Sequence, residues 1–128
     1  MMAFADLVPG SLMGVSEFRL TEVETSEWLA LFPNDARYLP TMPRAMIAMV
    51  VMRAFMEIMR DRPQGNLHAG QTFWLSALPK LGAIMTTRLR CVEKNLKNGR
   101  RWVAFESETV GEAAAPLFRG KMNLIWAA

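Results

Sequence analysis

The sequence predicts an α+β domain, with one oily helix enclosed by an antiparallel sheet. Three observations predict it. Pro43–Arg60, PRAMIAMVVMRAFMEIMR, has helical residue types and length but almost no polar face, since only Arg53 and Glu57 carry charge between Ala45 and Met59. A surface helix keeps a polar face, so this one is expected to be buried on most sides. From Leu67 to Trp126 no second helical period recurs, and apolar and polar residues alternate in the manner of half-buried strands. Turn signals separate those strands, the strongest being Asn98-Gly99, where both residues tolerate positive φ. The natural host for such a helix is a curved antiparallel sheet wrapped around it.

Each element can be justified in chain order. Residues 1–14 carry Pro9, Gly10, Ser11 and Gly14 and are expected as a loosely held arm. Val15–Leu20, VSEFRL, reads as a short strand. Thr25 is a good N-cap for a short helix over Ser26–Phe32, with Glu27 in the first turn where the helix dipole favours an acid. Pro33-Asn34-Asp35 stops it. Pro33, Pro40 and Pro43 make residues 33–43 a loop, and Pro43 suits the first turn of the oily helix, which ends near Arg60–Arg62 before Pro63 and Gly65. Arg53 and Glu57, spaced i to i+4, are expected to pair.

Four strands follow. The first covers about Asn66–Ala77. The second, Gly82 to about Lys94, sets Met85, Thr87, Leu89 and Cys91 on one face and Thr86, Arg88 and Arg90 on the other. The third, Arg100–Val110, pairs back across the Asn-Gly turn. After Gly111–Pro116 the last strand, Leu117–Trp126, sets Phe118, Gly120, Met122, Leu124 and Trp126 opposite Arg119, Lys121 and Asn123.

Composition narrows the classes. At 128 residues with a hydrophobic fraction of 52%, the chain is one domain able to hold a core, not a disordered segment. The single Cys91 excludes an internal disulfide and a cysteine-based metal cluster, and it reads as inert core. A membrane span needs roughly 20 consecutive apolar residues, and Arg44, Arg53 and Glu57 interrupt the oily stretch well short of that. MMAFADLVPG has no basic n-region, so neither a secretory signal nor a membrane location is expected, and the reading is cytoplasmic. The net charge of +3 is modest, and the basic residues cluster at Arg88–Arg101 without a spread of interleaved aromatics. No nucleic-acid partner is expected, while a small anion site stays open.

This order of elements resembles the hotdog fold, and more narrowly the MaoC-like dehydratases and hydratases. The local patterns are Leu67-His68-Ala69-Gly70-Gln71 after the helix; Leu78-Pro79 with Leu81-Gly82, similar to a Pro-x-x-x-Gly-Asp turn with Ala83 in the aspartate position; Lys97–Val103; and the closing run Phe118–Ala128. The resemblance implies an antiparallel sheet around a long central helix and a ligand that is an acyl thioester of coenzyme A or acyl-carrier protein, with no further cofactor. It also implies a homodimer, a heterodimer with a catalytic hotdog subunit, or a higher oligomer.

Hydratases of that group use an Asp and a His, in a motif resembling Asp-x-Asn-Pro-aliphatic-His before the central helix. The matching stretch here is Asn34–Pro40, where Asp35 takes the aspartate position and Pro40 falls on the histidine. Proline does no acid–base work. The departure resembles the non-catalytic half of fused double-hotdog members, which shapes the acyl pocket while its partner does the chemistry. Asp35 reads either as a catalytic base or as a loop cap. His68, the only histidine, reads either as a general base near a tunnel mouth or as a structural side chain. No second ligand stands at metal spacing. The resemblance also implies that a hotdog thioesterase would often carry an Asp or Glu on the central helix. The only acid there is Glu57, late in the helix and spaced to pair with Arg53, so an ion pair is the expected role and the thioesterase reading is not supported. Arg88, Arg100, Arg101 and Trp102 are the candidates for holding coenzyme A, the arginines on its phosphates and Trp102, like Trp74, on adenine, against the plainer reading of a charged strand edge. A displaced enzyme site at Asp35 and His68 and a structural protein without ligand are the competing readings.

Overall fold

A computed structural model describes residues 1–128. Five strands form one antiparallel sheet: β1 (Leu12–Arg19), β2 (Leu67–Leu75), β3 (Ile84–Lys97), β4 (Arg100–Val110) and β5 (Pro116–Trp126), in the order β1-β3-β4-β5-β2. Two α-helices, α1 (Glu22–Leu31) and α2 (Met46–Ile58), are inserted between β1 and β2. The α+β class and all four strands after the helix stand as expected. Asn98 (φ 52°) and Gly99 (φ 74°) turn β3 into β4, because a two-residue hairpin turn needs left-handed backbone at both positions.

The core lies between α2 and the inner sheet face. Ile47, Val50, Val51 and Phe55 of α2 meet Met85, Leu89 and Cys91 of β3, Val103 and Phe105 of β4, and Phe118, Met122 and Trp126 of β5. Phe55 packs edge-on against Phe105, with ring centroids 5.7 Å apart. The helix runs closest to β1 and β3. At Gly14 on β1 the approach is so tight that a Cβ would stand 2.8 Å from Ile58 Cγ2. Because α2 lies toward one side of the sheet, a cleft opens between its N-terminal turn and the edge strand β2.

Four expectations need correction. The helix is not enclosed on most sides: Ala48 and Met56 are exposed, Met56 by 48%, while Met49 and Met52 are half-buried. The sheet covers one face of α2 and α1 covers only part of the other. Arg53 and Glu57 do not pair, because neighbouring elements offer nearer partners. The Arg53 guanidinium lies over the Phe18 ring and 3.8 Å from Glu24 Oε1, while Glu57 Oε2 accepts from Ser16 Oγ at 2.7 Å. The short helix starts four residues early, at Glu22. Thr21 and Glu24 form a reciprocal capping box there, and Thr25 is a buried helical residue whose hydroxyl donates to Thr21 O. After it, Pro33–Tyr38 coils as a 3-10 helix within the expected loop.

Residues 1–14 are not a loose arm. Leu7 is buried, Leu12–Gly14 belong to β1, and the segment closes over the far end of the sheet. Phe4 N–H donates to Ala128 O, the Trp126 indole donates to Met2 O, and Lys94 Nζ donates to Phe4 O. Apolar Phe4 and Leu7 anchor the segment, a signal that Pro9 and Gly10 hide when composition alone is read.

Candidate functional site

The cleft between α2 and β2 is the concave apolar feature of the molecule. Arg44, Ala45, Ile47 and Ala48 line one wall and Phe73 and Leu75 the other, around a volume of about 410 Å³. Pro43 begins the helical turn, and Met46 and Ile47 donate back to Pro43 O and Arg44 O. The Arg44 and Ala45 N–H groups have no backbone acceptor, so the positive end of the α2 dipole meets the cleft. Such an end favours a carbonyl oxygen that gathers negative charge. The opposite wall belongs to an edge strand, where Leu75 is 39% exposed and one side of the backbone has no neighbouring strand. Apolar side chains and open strand hydrogen bonds therefore stand in one place.

The residues singled out from the sequence fall elsewhere. Asp35 is fixed by Trp28, whose indole Nε1–H donates to Asp35 Oδ2 at 2.8 Å and ties the 3-10 segment to α1. His68 lies at the opposite end of β2 from the point where the Asp35 loop returns to the sheet. That loop rejoins at Thr41, which bridges Lys80, and at Met42, which donates to Pro79 O, both just beyond the last residue of β2. The span from His68 to Leu75 is seven strand steps, or about 23 Å. The His68 ring is exposed and its Nε2 lies 3.1 Å from Gln71 Oε1. The structure does not bring Asp35 and His68 together, and Pro40 stands near Leu81, whose N–H donates to its carbonyl.

The four coenzyme A candidates are likewise dispersed. Arg88 sits on the outer sheet face, with Arg90, Glu106, Glu108, Arg119 and Trp74 around a small hollow of about 100 Å³. Strand register sets Arg88 beside Glu108, Arg90 beside Glu106, and Glu108 beside Arg119, whose guanidinium lies over the Trp74 ring. This is a ladder of opposite charges, the arrangement that keeps a solvated sheet face favourable. Arg100 and Trp102 sit at the hairpin with Lys97 and Asn98, nine and seven strand steps along β3 from Arg88. Arg101 between them is turned to the chain end, donating from Nε to Trp126 O at 3.1 Å and from Nη2 to Ala127 O. No group of three or more His, Cys, Asp or Glu side chains is placed to share a metal ion. Cys91 is fully buried, and that burial raises its thiol above the usual range.

Sequence reasoning missed the cleft itself. Arg44, Ala48, Phe73 and Leu75 lie on elements far apart in the chain, and the one local signal, Phe73 and Leu75 at alternate positions of β2, is masked by the neighbouring Trp74 and by Leu67 at the strand's start. No helix is long and apolar enough to cross a membrane.

No protein-family model matches the sequence, and no curated protein is significantly similar to it. Solved structures are similar across nearly the whole chain. A MaoC-like dehydratase from Rhodospirillum rubrum superposes with a TM-score of 0.82 at 16% identity, covering 98% of this chain and 97% of that one. An R-hydratase from Pseudomonas aeruginosa gives 0.74 at 20% identity, over 97% and 84%. A 3R-hydroxyacyl-ACP dehydratase complex from Mycobacterium tuberculosis gives 0.69 at 11%, over 88% and 94%. The protein has the hotdog fold that these solved structures share.

Proposed function

We propose that this chain is an acyl-thioester-binding hotdog subunit that holds the acyl group while a catalytic partner supplies acid–base chemistry. The observation that carries the reading is the cleft at the start of α2. Its walls are apolar, unpartnered helix donors face it, and Arg44 stands at the rim to meet an anionic carrier. The solved structures of the same shape include an R-hydratase, a MaoC-like dehydratase and a 3R-hydroxyacyl-ACP dehydratase complex. Against independent catalysis stand three facts of this chain: proline at position 40, Asp35 occupied by an indole, and the only histidine at the far end of β2. The free side of β2 offers the backbone hydrogen bonds through which a second hotdog, identical or different, would complete the thioester tunnel.

The test is a thermal-shift and calorimetric titration of the purified protein with coenzyme A and butyryl-CoA, beside an Ala48→Trp variant that fills the cleft from an exposed position. A ligand at 100 times its Kd stabilises the native state by about 2.7 kcal/mol. Butyryl-CoA is expected to raise the melting temperature of the wild type and leave Ala48→Trp unmoved. Hydration of crotonyl-CoA by the isolated protein, or the same shift in both proteins, overturns the reading.

A further inference from the structure

The inner sheet face holds one hydroxyl without a partner. Ser107 on β4 is 3% exposed, and its Oγ has no hydrogen-bond acceptor or donor. Two residues along the same strand face, Thr109 meets Thr87 hydroxyl to hydroxyl at 2.8 Å, so the sheet satisfies such groups where nothing else will. A buried polar atom left unmade costs about 1–3 kcal/mol, which is reason to ask what it binds. Its neighbours point to an answer. Across the ladder Ser107 pairs with Gly120, and Gly120 pairs with Phe73. A Cβ on Gly120 would stand 2.7 Å from Ser107 Oγ and 3.1 Å from Phe73 Cδ1 and Cε1. The missing side chain therefore lets the Phe73 ring, which lines the cleft, and the Ser107 hydroxyl both approach the same point of the inner sheet face.

We propose that the cleft continues past the Phe73 ring and over Gly120 to Ser107, and that the Ser107 hydroxyl is a specificity residue for acyl chains carrying a hydroxyl or keto oxygen. This rests on the acyl-thioester reading above. Phe73 is the movable wall: half-buried and on an edge strand, its ring turns aside as the chain enters. Gly120 is the floor, and Ser107 exchanges hydrogen bonds with the oxygen that reaches it. An alkyl chain entering the same space would leave the hydroxyl unpaired.

The experiment is calorimetric titration with two pairs of equal shape, 3-hydroxybutyryl-CoA against 3-methylbutyryl-CoA and 4-hydroxybutyryl-CoA against pentanoyl-CoA. One neutral hydrogen bond corresponds to roughly 2- to 10-fold in affinity. The wild type is expected to prefer the oxygen-bearing member of at least one pair by that factor. Ser107→Ala is expected to abolish the preference while melting no lower than the wild type, because it removes an unsatisfied buried group; a purely structural serine would instead lower the melting temperature. Gly120→Ala, which crowds the hydroxyl without deleting it, is expected to abolish the preference as well. Acyl-CoA binding without a preference, or with one that survives Ser107→Ala, overturns this inference and leaves the acyl-thioester reading intact. Failure of every acyl-CoA to bind overturns both.

Discussion

Gly14→Ala tests how firmly α2 is seated on the sheet, and two opposing effects fix its size. Alanine removes unfolded-state freedom, which in a strand compatible with it stabilises by about 0.4–1 kcal/mol. Against that, the new methyl would stand 2.8 Å from Ile58 Cγ2 and 3.3 Å from Cγ1, inside any ordinary contact. Overpacking of this kind costs about 1–3 kcal/mol. The clash wins, and the expected net loss is about 1–2 kcal/mol, or a fall of roughly 4–8 °C in melting temperature for a chain of this length. The assay is urea denaturation at fixed protein concentration, run on Gly14→Ala, Ile58→Ala and the double variant. Removing both Ile58 γ-carbons deletes the obstacle, so in the Ile58→Ala background the same substitution should become neutral or mildly stabilising. That reversal of sign is the signature of a direct contact. A Gly14→Ala effect that is equal in the two backgrounds would refute the reasoning and detach α2 from β1.

Thr21→Ala removes the hydroxyl half of the α1 capping box and is expected to cost about 1 kcal/mol at neutral pH by urea denaturation. The Thr21 hydroxyl, with the Glu24 and Thr21 backbone donors and then Arg53, holds the Glu24 carboxyl below its ordinary 4.5. A lowered carboxyl contributes stability that is present above pH 4.5 and lost as the pH falls through its folded value. The gap in melting temperature between wild type and Thr21→Ala should therefore narrow below that point, leaving the part due to the bond from the Glu24 N–H to the Thr21 hydroxyl. Cys91, buried and raised, is expected to resist a thiol reagent in the folded protein and to react at the rate of unfolding; prompt labelling would show that the β3 face is open.

What could be read beforehand follows periodicity. Met85, Thr87, Leu89 and Cys91 declared an inner strand face by strict alternation, and Asn98-Gly99 declared its turn, because both signals are local. Strand β5 announced itself the same way through Phe118 to Trp126. Partner choice was not legible. Arg53 and Glu57 have the spacing of a helical pair, yet β1 and α1 supply Phe18, Glu24 and Ser16 at closer quarters, and only packing decides that. The capping box at Thr21 and Glu24 was legible and overlooked, since Thr25 offers an equally good cap one turn later. The candidate site was the least visible part. Its walls come from α2 and β2, its proposed depth depends on a glycine's missing methyl, and the coenzyme A candidates clustered in the chain are drawn apart by an extended hairpin.

The junction of residues 2–4 with Trp126 and Ala128 has a topological corollary. Residues 2–4 and 126–128 lie side by side, so a few added residues can join them into a ring. Reopening that ring at Asn98–Gly99 would yield a circular permutant with every ladder of the sheet retained. In such a molecule the former ends become an ordinary surface turn, and the cleft, which draws on neither region, would keep its shape.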